Sequence, residues 1–234
     1  SPHNPTGHVS SSGEIAALAD IARRHDLAVI SDEVFSEFLL GGESLPRPAG
    51  SAAPLVFTLN GFSKMFALPG LKFGWMAVTG DPDRVGTALR SLELMSDTFL
   101  PVNEIVQAAA ADIFRDGKAV AGEFADRIRG CWRLAEGALR RGRLAGCVPP
   151  DGGFYVTLKL EGLDEEAAAE AILEREHLLT HPGYFYDMAP HHLILSFVQA
   201  PEILREALPR LLQVLETTHR GKTGAGGNGE KETL

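Results

Sequence analysis

The sequence predicts an α/β protein in which a large, doubly wound domain comes first and a small α+β domain follows. Two short apolar runs, at residues 27–31 and 55–59, are typical of buried strands, and an amphipathic helical pattern precedes the first of them. Beyond residue 150 the pattern becomes strand, helix, strand and final helix, which indicates a separate, smaller layer.

The first half of the chain alternates between helix and strand. Ser11 and Glu14 match a capping box, and apolar residues at helical spacing continue from there to His25. A loop rich in Gly, Pro and Ser separates the two apolar strands, which is the order of a doubly wound sheet. The predicted segments are a strand at 27–31, a loop at 41–54, a strand at 55–59 and a strand at 73–78.

The middle of the sequence predicts long helices that precede the small domain. Proline marks the starts of helices at 83–95 and 102–114, Gly117 interrupts the pattern, and a long helix at 119–143 leads into the second domain. The domains are predicted at 1–118 and 119–220, with a Gly-rich, charged and disordered tail at 221–234. The later elements are a strand from Gly152 to Val156, a helix at 164–177, a strand at 193–198 and a helix at 201–217.

The composition is that of an ordinary globular protein. The chain has 234 residues, 44% of them hydrophobic and 23% charged, and a net charge of −9. An acidic chain without clustered Lys and Arg is not expected to bind nucleic acid, and no apolar run reaches the roughly 18 residues of a membrane span. Cys131 and Cys147 lack metal-site spacing, so we expect free thiols, no metal and a cytoplasmic location.

Lys64 is the candidate catalytic residue. It follows the second apolar strand, at the end where α/β sheets carry their chemistry. A lysine flanked by Phe62, Met65 and Phe66 can have its charge disfavoured by desolvation, which prepares an amine for Schiff-base formation.

Asp32 ends the first apolar strand and supplies a carboxylate at the same kind of sheet edge. Pyridoxal phosphate needs this combination of groups. A lysine holds its aldehyde as an imine, and an acid keeps the ring nitrogen protonated so that the ring can accept electrons. Lys64 and Asp32 are therefore a candidate pair for this cofactor.

Three sequence motifs indicate that the chain resembles a known protein family. They are SPHNPTG at residues 1–7, SDEVF at 31–35, and SK at 63–64 followed by PGLKFGW at 69–75. In this order they resemble the pyridoxal-phosphate-dependent aminotransferases of class I and II, which have fold type I. The chain is similar to the carboxyl-terminal two-thirds of such an enzyme, and we expect the amino-terminal part of the large domain to be missing.

The resemblance implies cofactor contacts. Asn4, followed by a peptide bond that can be cis, would donate to the cofactor's phenolic oxygen, and Asp32 would hold the ring nitrogen. Where the family has a tyrosine, this chain has Phe35, which cannot donate a hydrogen bond to that oxygen.

The resemblance also implies how the phosphate is held. An arginine of the family is replaced by Lys72, which keeps the charge but loses the bidentate geometry. A serine of the family is replaced by Gly61, so that Lys72, Ser63 and backbone amides are left to bind the phosphate.

The implied substrate site departs further from the family. Ile194 stands where most aminotransferases have an arginine that binds the substrate carboxylate, so His191 or His192 could supply the cation, or the substrate or reaction differs. The loop at residues 181–186 corresponds to a substrate-facing segment. Its Tyr184 either lines the pocket or packs at the domain boundary.

The resulting functional hypothesis is an aminotransferase that moves an amino group between an amino acid and a 2-oxo acid through Lys64. The resemblance implies a homodimer when the protein is complete. Two alternatives stay open: a β-eliminating lyase or racemase of the same fold, and an inactive binding domain. The presence of both Lys64 and Asp32 argues against an inactive domain.

Overall fold

The computed structural model describes residues 1–41, 44–99, 101–142 and 145–225. Its contacts divide the chain into two compact units, and the division falls inside a long helix, between Arg127 and Ile128. The domain start predicted at residue 119 stays a prediction. The first unit comprises Ser1–His3, His8–Arg127 and Asp151–Gly153, and the second comprises Asn4–Gly7, Ile128–Pro150 and Phe154–Leu234.

The first unit contains a three-stranded mixed sheet. Helix α1 (Ser12–Arg24) begins with the predicted capping box, in which the Ser11 hydroxyl accepts from the Glu14 amide and the Glu14 carboxylate accepts from the Ser11 amide. The strands are β1 (Ala28–Asp32), β2 (Leu55–Gly61) and β3 (Gly74–Gly80), in the order β1-β2-β3. β1 and β2 are parallel and β3 is antiparallel to β2.

Burial along β1 alternates. Val29 and Ser31 are buried, whereas Ile30 is 70% exposed. This run was predicted to be a buried strand, but only alternate residues of β1 are buried, because the described part of the chain covers only one face of the strand. The core beneath that face is made of small residues from α1 and the sheet: Ala19, Ala22, Val29, Ala53 and Val56.

Two long helices follow the sheet. They are α3 (Pro82–Thr98) and α4 (Glu104–Leu139), while α2 (Phe62–Met65) is a single turn after β2. Within the described ranges, no helix has both the length and the apolar character needed to cross a membrane.

Gly117 lies inside α4, so the predicted break between helices at 102–114 and 119–143 is wrong. One glycine costs a helix only about 1 kcal/mol relative to alanine, which does not end a helix of 36 residues. A Cβ at Gly117 would lie 2.9 Å from Cδ1 of Phe66, so the missing side chain makes room for that ring.

The second unit contains a four-stranded antiparallel sheet and two helices. The sheet order is β4-β5-β7-β6, and the predictions omitted β4 and β6 because they have only three and two residues. α6 continues past residue 217 into the stretch predicted to be disordered, and residues 226–234 lie outside the described residues. The elements are β4 (Ala145–Cys147), β5 (Tyr155–Leu160), α5 (Glu165–Glu176), β6 (His181–Pro182), β7 (His192–Ser196) and α6 (Pro201–Ala225).

The two faces of this sheet differ in polarity. One face is apolar and buried, and it carries Val156, Leu158, Leu160, Leu193 and Leu195. The opposite face carries Tyr155, Thr157 and Lys159 from β5, and its central residue on β7 is Ile194. We call this opposite face the polar face.

We expect two alanine substitutions in α4 to have opposite effects. Gly122→Ala meets no atom within 4 Å and should raise the free energy of unfolding by about 0.5–1 kcal/mol through helix propensity. Gly117→Ala should lower it by about 1–3 kcal/mol, because the Phe66 ring must move. Urea unfolding measures both, and equal stabilisation by the two variants would contradict the packing role of Gly117.

Candidate active site

Lys64 lies on α2, the single helical turn that follows β2 directly. The side chain is half-buried, and its Nζ lies 5.8 Å from the centroid of the Phe35 ring. A ring face attracts an ammonium group at this distance. The structure therefore brings together two residues that the sequence assigned to the cofactor site.

An aromatic cluster holds α2 in place. Its centre is Phe62, which is fully buried and stacks on Phe73 with ring centroids 4.4 Å apart. Edge contacts from Phe62 to the other rings have centroid distances of 5.3–5.8 Å, within the range of favourable aromatic pairs. The members of the aromatic cluster are Phe62, Phe66, Phe73, Trp75 and Phe114.

Gly61 is required by the pairing of β2 with β3. A Cβ at this position would lie 2.8 Å from the carbonyl oxygen of Phe73 and 3.3 Å from Cα of Gly74. The resemblance implies a serine at this position, and the close approach of the β3 backbone explains why the chain has glycine there. Ser63, the other predicted phosphate ligand in this turn, is half-buried next to Lys64.

Asp32 and Lys64 lie at the carboxyl ends of two parallel strands, at the same edge of the sheet: Asp32 ends β1, and Lys64 is in the turn after β2. The last residue of β1, Asp32, is in register with Leu59 of β2, and Lys64 comes five residues later. The Asp32 side chain is exposed, and its Oδ1 accepts a hydrogen bond from the Val34 amide at 3.1 Å. This edge is where parallel sheets place ligands.

Asn60 connects the two strand ends. Its side-chain amide donates to the Glu33 carbonyl at 3.0 Å and to the Ser36 hydroxyl at 3.2 Å, while its Oδ1 accepts from the Gly61 amide at 2.7 Å. Asn60 thus fixes the segment after Asp32 against the turn that carries Lys64. None of the sequence motifs assigns Asn60 a role, although a polar residue at the end of a predicted strand is a signal that could have identified it.

Glu33 is a second residue at this sheet edge to which no sequence motif assigns a role. Its side chain is 1% exposed, accepts a hydrogen bond from Ser31 Oγ at 3.0 Å, and forms an ion pair with Arg47. Removing one partner of a buried ion pair leaves an uncompensated charge and is strongly destabilising. Arg47 lies in an irregular loop, so no sequence periodicity links it to Glu33.

Lys72 lies between a short 3-10 turn (Pro69–Leu71) and β3. Its φ of 51° is left-handed, which is uncommon for a residue with a side chain, and the side chain is exposed. The next residue, Phe73, is held by its stacking on Phe62. The aromatic cluster therefore constrains the backbone next to both predicted phosphate ligands: Phe62 directly precedes Ser63, and Phe73 directly follows Lys72.

The second unit contains the remaining predicted residues. Asn4 is exposed, and the Asn4–Pro5 peptide is cis, as the resemblance implied. The carbonyl of Pro5 accepts a hydrogen bond from the Thr157 hydroxyl at 3.3 Å, which joins this segment to the polar face. The structure therefore groups Asn4 with the small sheet.

Tyr184 and Ile194 differ sharply in exposure. Tyr184 is exposed, and its amide donates to the buried Glu165 carboxylate at 3.1 Å. Ile194 is only 2% exposed, so this position offers a ligand neither charge nor surface. The ring Nδ1 atoms of His191 and His192 donate to the carbonyls of Leu163 and Ala189 at 2.7 Å.

A family model described as aminotransferase class I and II matches residues 1–211. The chain belongs to this family. The family uses pyridoxal phosphate, and the chain has its fold type I architecture in part.

Curated relatives agree with this assignment. The aspartate/prephenate aminotransferase of Thermus thermophilus is 33% identical over 220 residues, which cover 92% of this chain and 55% of that protein. The aromatic-amino-acid aminotransferase 2 of Thermococcus litoralis is 31% identical over 92% of this chain and 56% of its own length. The chain therefore spans about half the length of these relatives, less than the two-thirds expected.

Solved structures of aminotransferases have the same fold. The aromatic aminotransferase from Pyrococcus horikoshii superposes with a TM-score of 0.82 at 26% identity, covering 94% of this chain and 59% of that one. The aspartate aminotransferase from Thermotoga maritima gives a TM-score of 0.77 at 26% identity, covering 92% and 55%. The expected partial fold type I is thus confirmed.

We expect the aromatic cluster to determine both stability and the position of Lys64. Phe62→Ala should lower the free energy of unfolding by about 3–5 kcal/mol, because it removes a fully buried ring with four aromatic neighbours. Phe99→Ala is the control, since Phe99 is 70% exposed and its removal should cost less than about 0.5 kcal/mol. A similar loss in both variants, measured by urea unfolding, would contradict this role.

Proposed function

We propose that the protein is a pyridoxal-phosphate-dependent aminotransferase that moves an amino group between an amino acid and a 2-oxo acid through Lys64. The observation that carries the proposal is that Asp32 ends β1 and Lys64 follows β2 at one edge of the sheet, with Asn60 hydrogen-bonded to the backbone at both strand ends. The family membership supports it. Because the chain spans about half the length of its relatives, the activity of the whole protein is part of the proposal.

The described residues fit the cofactor's functional groups. A primary amine and a carboxylate stand at the same edge, and the Phe35 ring lies beside the amine. We assign Lys64 to the aldehyde carbon, Asp32 to the ring nitrogen, and Ser63 and Lys72 to the phosphate. Asn4 is assigned to the phenolic oxygen, which Phe35 cannot reach with a hydrogen bond.

When bound, pyridoxal phosphate supplies an electron sink that stabilises negative charge at the substrate's α-carbon. Lys64 would hold the cofactor through its Nζ and, as a free amine, would move a proton between the substrate's α-carbon and the cofactor's C4′ atom. Asp32 would keep the proton on the ring nitrogen, which is electrostatic stabilisation of the developing charge.

A second candidate reaction is β-elimination or racemisation by the same residues. The reason to consider it is Ile194, which is buried and uncharged at the position where the resemblance implies a carboxylate-binding arginine. The products separate the candidates. A transaminase requires a 2-oxo acid acceptor, a racemase inverts the amino acid without one, and a lyase releases ammonia and a 2-oxo acid without one.

We expect Lys64→Ala to abolish covalent cofactor binding. The wild-type protein mixed with pyridoxal phosphate should develop the absorbance band of an imine, and suitable amino acids should convert it to the pyridoxamine spectrum. Lys118→Ala is the control, because Lys118 is an exposed lysine on α4 of the same unit. Identical spectra for Lys64→Ala and wild type would exclude the proposed role.

We expect Asp32→Asn to separate cofactor binding from turnover. The imine band should remain, while kcat for transamination falls by about 10²–10³-fold because the ring nitrogen loses its anionic partner. Asp97→Asn, a change of the same kind on exposed α3, should leave kcat unaltered. Wild-type turnover in Asp32→Asn would refute the assignment of Asp32.

A further inference from the structure

A cavity of about 380 Å³ lies between α1 and the loop that precedes β2. Every residue that lines it belongs to the first unit. Its volume is within the range of small-molecule sites in proteins, roughly 300–1,000 Å³. We call it the α1 cavity. The wall on α1 includes Ile15, Ala16, Ala19 and Asp20, and the wall on the loop includes Arg47 and Ser51.

Arg47 gives the α1 cavity a positive charge in a fixed position. Its Nη1 forms the ion pair with the buried Glu33 carboxylate, yet the Arg47 side chain is 44% exposed. A guanidinium presents several N–H donors in a planar fork, so it can hold a second carboxylate while Nη1 pairs with the first. The buried Glu33 therefore orients Arg47 without using up its capacity to bind a ligand.

The loop wall of the cavity is held by hydrogen bonds within the first unit. A short 3-10 turn (Pro48–Gly50) follows Arg47, and the Ser51 amide closes it by donating to its first carbonyl at 2.9 Å. The Thr79 hydroxyl of β3 donates to the Ala49 carbonyl at 3.2 Å, which joins the turn to the sheet. A ligand therefore meets a wall that is already ordered, which lowers the entropy cost of binding.

The helix wall of the cavity combines a negative charge with an apolar surface. Asp20 is exposed, and its Oδ1 accepts from Nη2 of Arg23 at 2.6 Å. A carboxylate accepts several hydrogen bonds, so this pairing leaves capacity for a ligand's donor. Ile15 and Ala19 are buried and four residues apart, and Ala16 and Asp20 form the adjacent pair at the same spacing. The cavity therefore offers a cation, a carboxylate and an apolar surface together.

We propose that the α1 cavity binds a zwitterionic amino acid, with its carboxylate on Arg47 and its ammonium group on Asp20. A simple anion would be repelled by Asp20 and a simple amine by Arg47, so a ligand with both charges is favoured over either. The apolar residues of α1 favour a hydrocarbon chain between or beside those charges. The proposal goes beyond aminotransferase activity and does not depend on it, because no residue of the cavity is assigned to the cofactor.

The first test compares ligands of equal chain length by calorimetric titration of the full chain without added pyridoxal phosphate. Norleucine and 6-aminohexanoate are isomers that carry both charges at different spacings, whereas hexanoate and hexylamine carry one charge each. We expect at least one isomer to bind saturably and at least about tenfold more tightly than hexanoate and hexylamine, since each of these lacks one charge-assisted hydrogen bond. Absence of saturable binding by both isomers, or equally tight binding of either singly charged compound, would overturn the proposal.

The second test locates the bound zwitterion with exposed substitutions on α1. Ala16→Leu places a larger side chain in the cavity and should weaken binding at least about tenfold. Ala17→Leu is the matched control at the next, exposed position of the same helix. Asp20→Asn should also weaken binding at least about tenfold, whereas Asp97→Asn on α3 should not. Wild-type affinity in both Ala16→Leu and Asp20→Asn would show that the ligand binds elsewhere and would overturn the proposal.

Arg47 needs a paired design, because its removal alone would leave the buried Glu33 carboxylate without its partner. The double variant Glu33→Gln with Arg47→Met is therefore compared with Glu33→Gln, which retains the arginine. We expect Glu33→Gln to bind the zwitterion and the double variant to lose binding, and equal affinity in the two would overturn the role of Arg47 and with it the proposal. Thermal unfolding identifies any variant that fails to fold, in which case Ala16→Leu and Asp20→Asn decide.

Discussion

The burial of Phe62 among four aromatic rings is the interaction on which the site in the first unit depends. Phe62 immediately precedes Ser63 and Lys64 in the single turn α2, which is too short to be stable through its own hydrogen bonds. Packing against Phe66, Phe73, Trp75 and Phe114 supplies the stability that the turn lacks. The same stacking holds Phe73, which directly follows Lys72 in the sequence. One apolar cluster therefore positions both the amine of Lys64 and the exposed side chain of Lys72.

Polar contacts then align the strand ends to which this turn is attached. Asn60 connects the segment after β1 with the end of β2, and the buried Glu33 is held by Ser31 and Arg47. A buried carboxylate is tolerated only when it is paired and hydrogen-bonded. This network gives the residue next to Asp32 a fixed backbone while the Asp32 side chain itself stays exposed at the sheet edge.

The sequence was most informative where local chemistry determines local structure. The capping box located the start of α1, and three ordered motifs sufficed for the family and the partial fold. It was misleading at Gly117, because helix propensity does not reveal that an aromatic ring from another element occupies the space beside the glycine. The ion pair between Glu33 and Arg47 depends on a tertiary contact, which no period in the sequence encodes. Very short strands such as β6 are also recognisable only from their ladder partners.

If this sheet edge holds pyridoxal phosphate as proposed, Lys64 is the amine that reacts with it. The most direct measurement is to reduce the mixture of protein and cofactor with borohydride, digest it, and locate the pyridoxyl group by mass spectrometry. The account predicts stoichiometric modification of Lys64, with exposed lysines such as Lys118 and Lys159 unmodified at equimolar cofactor. Modification spread over the exposed lysines, with Lys64 no more reactive than the rest, would contradict the account.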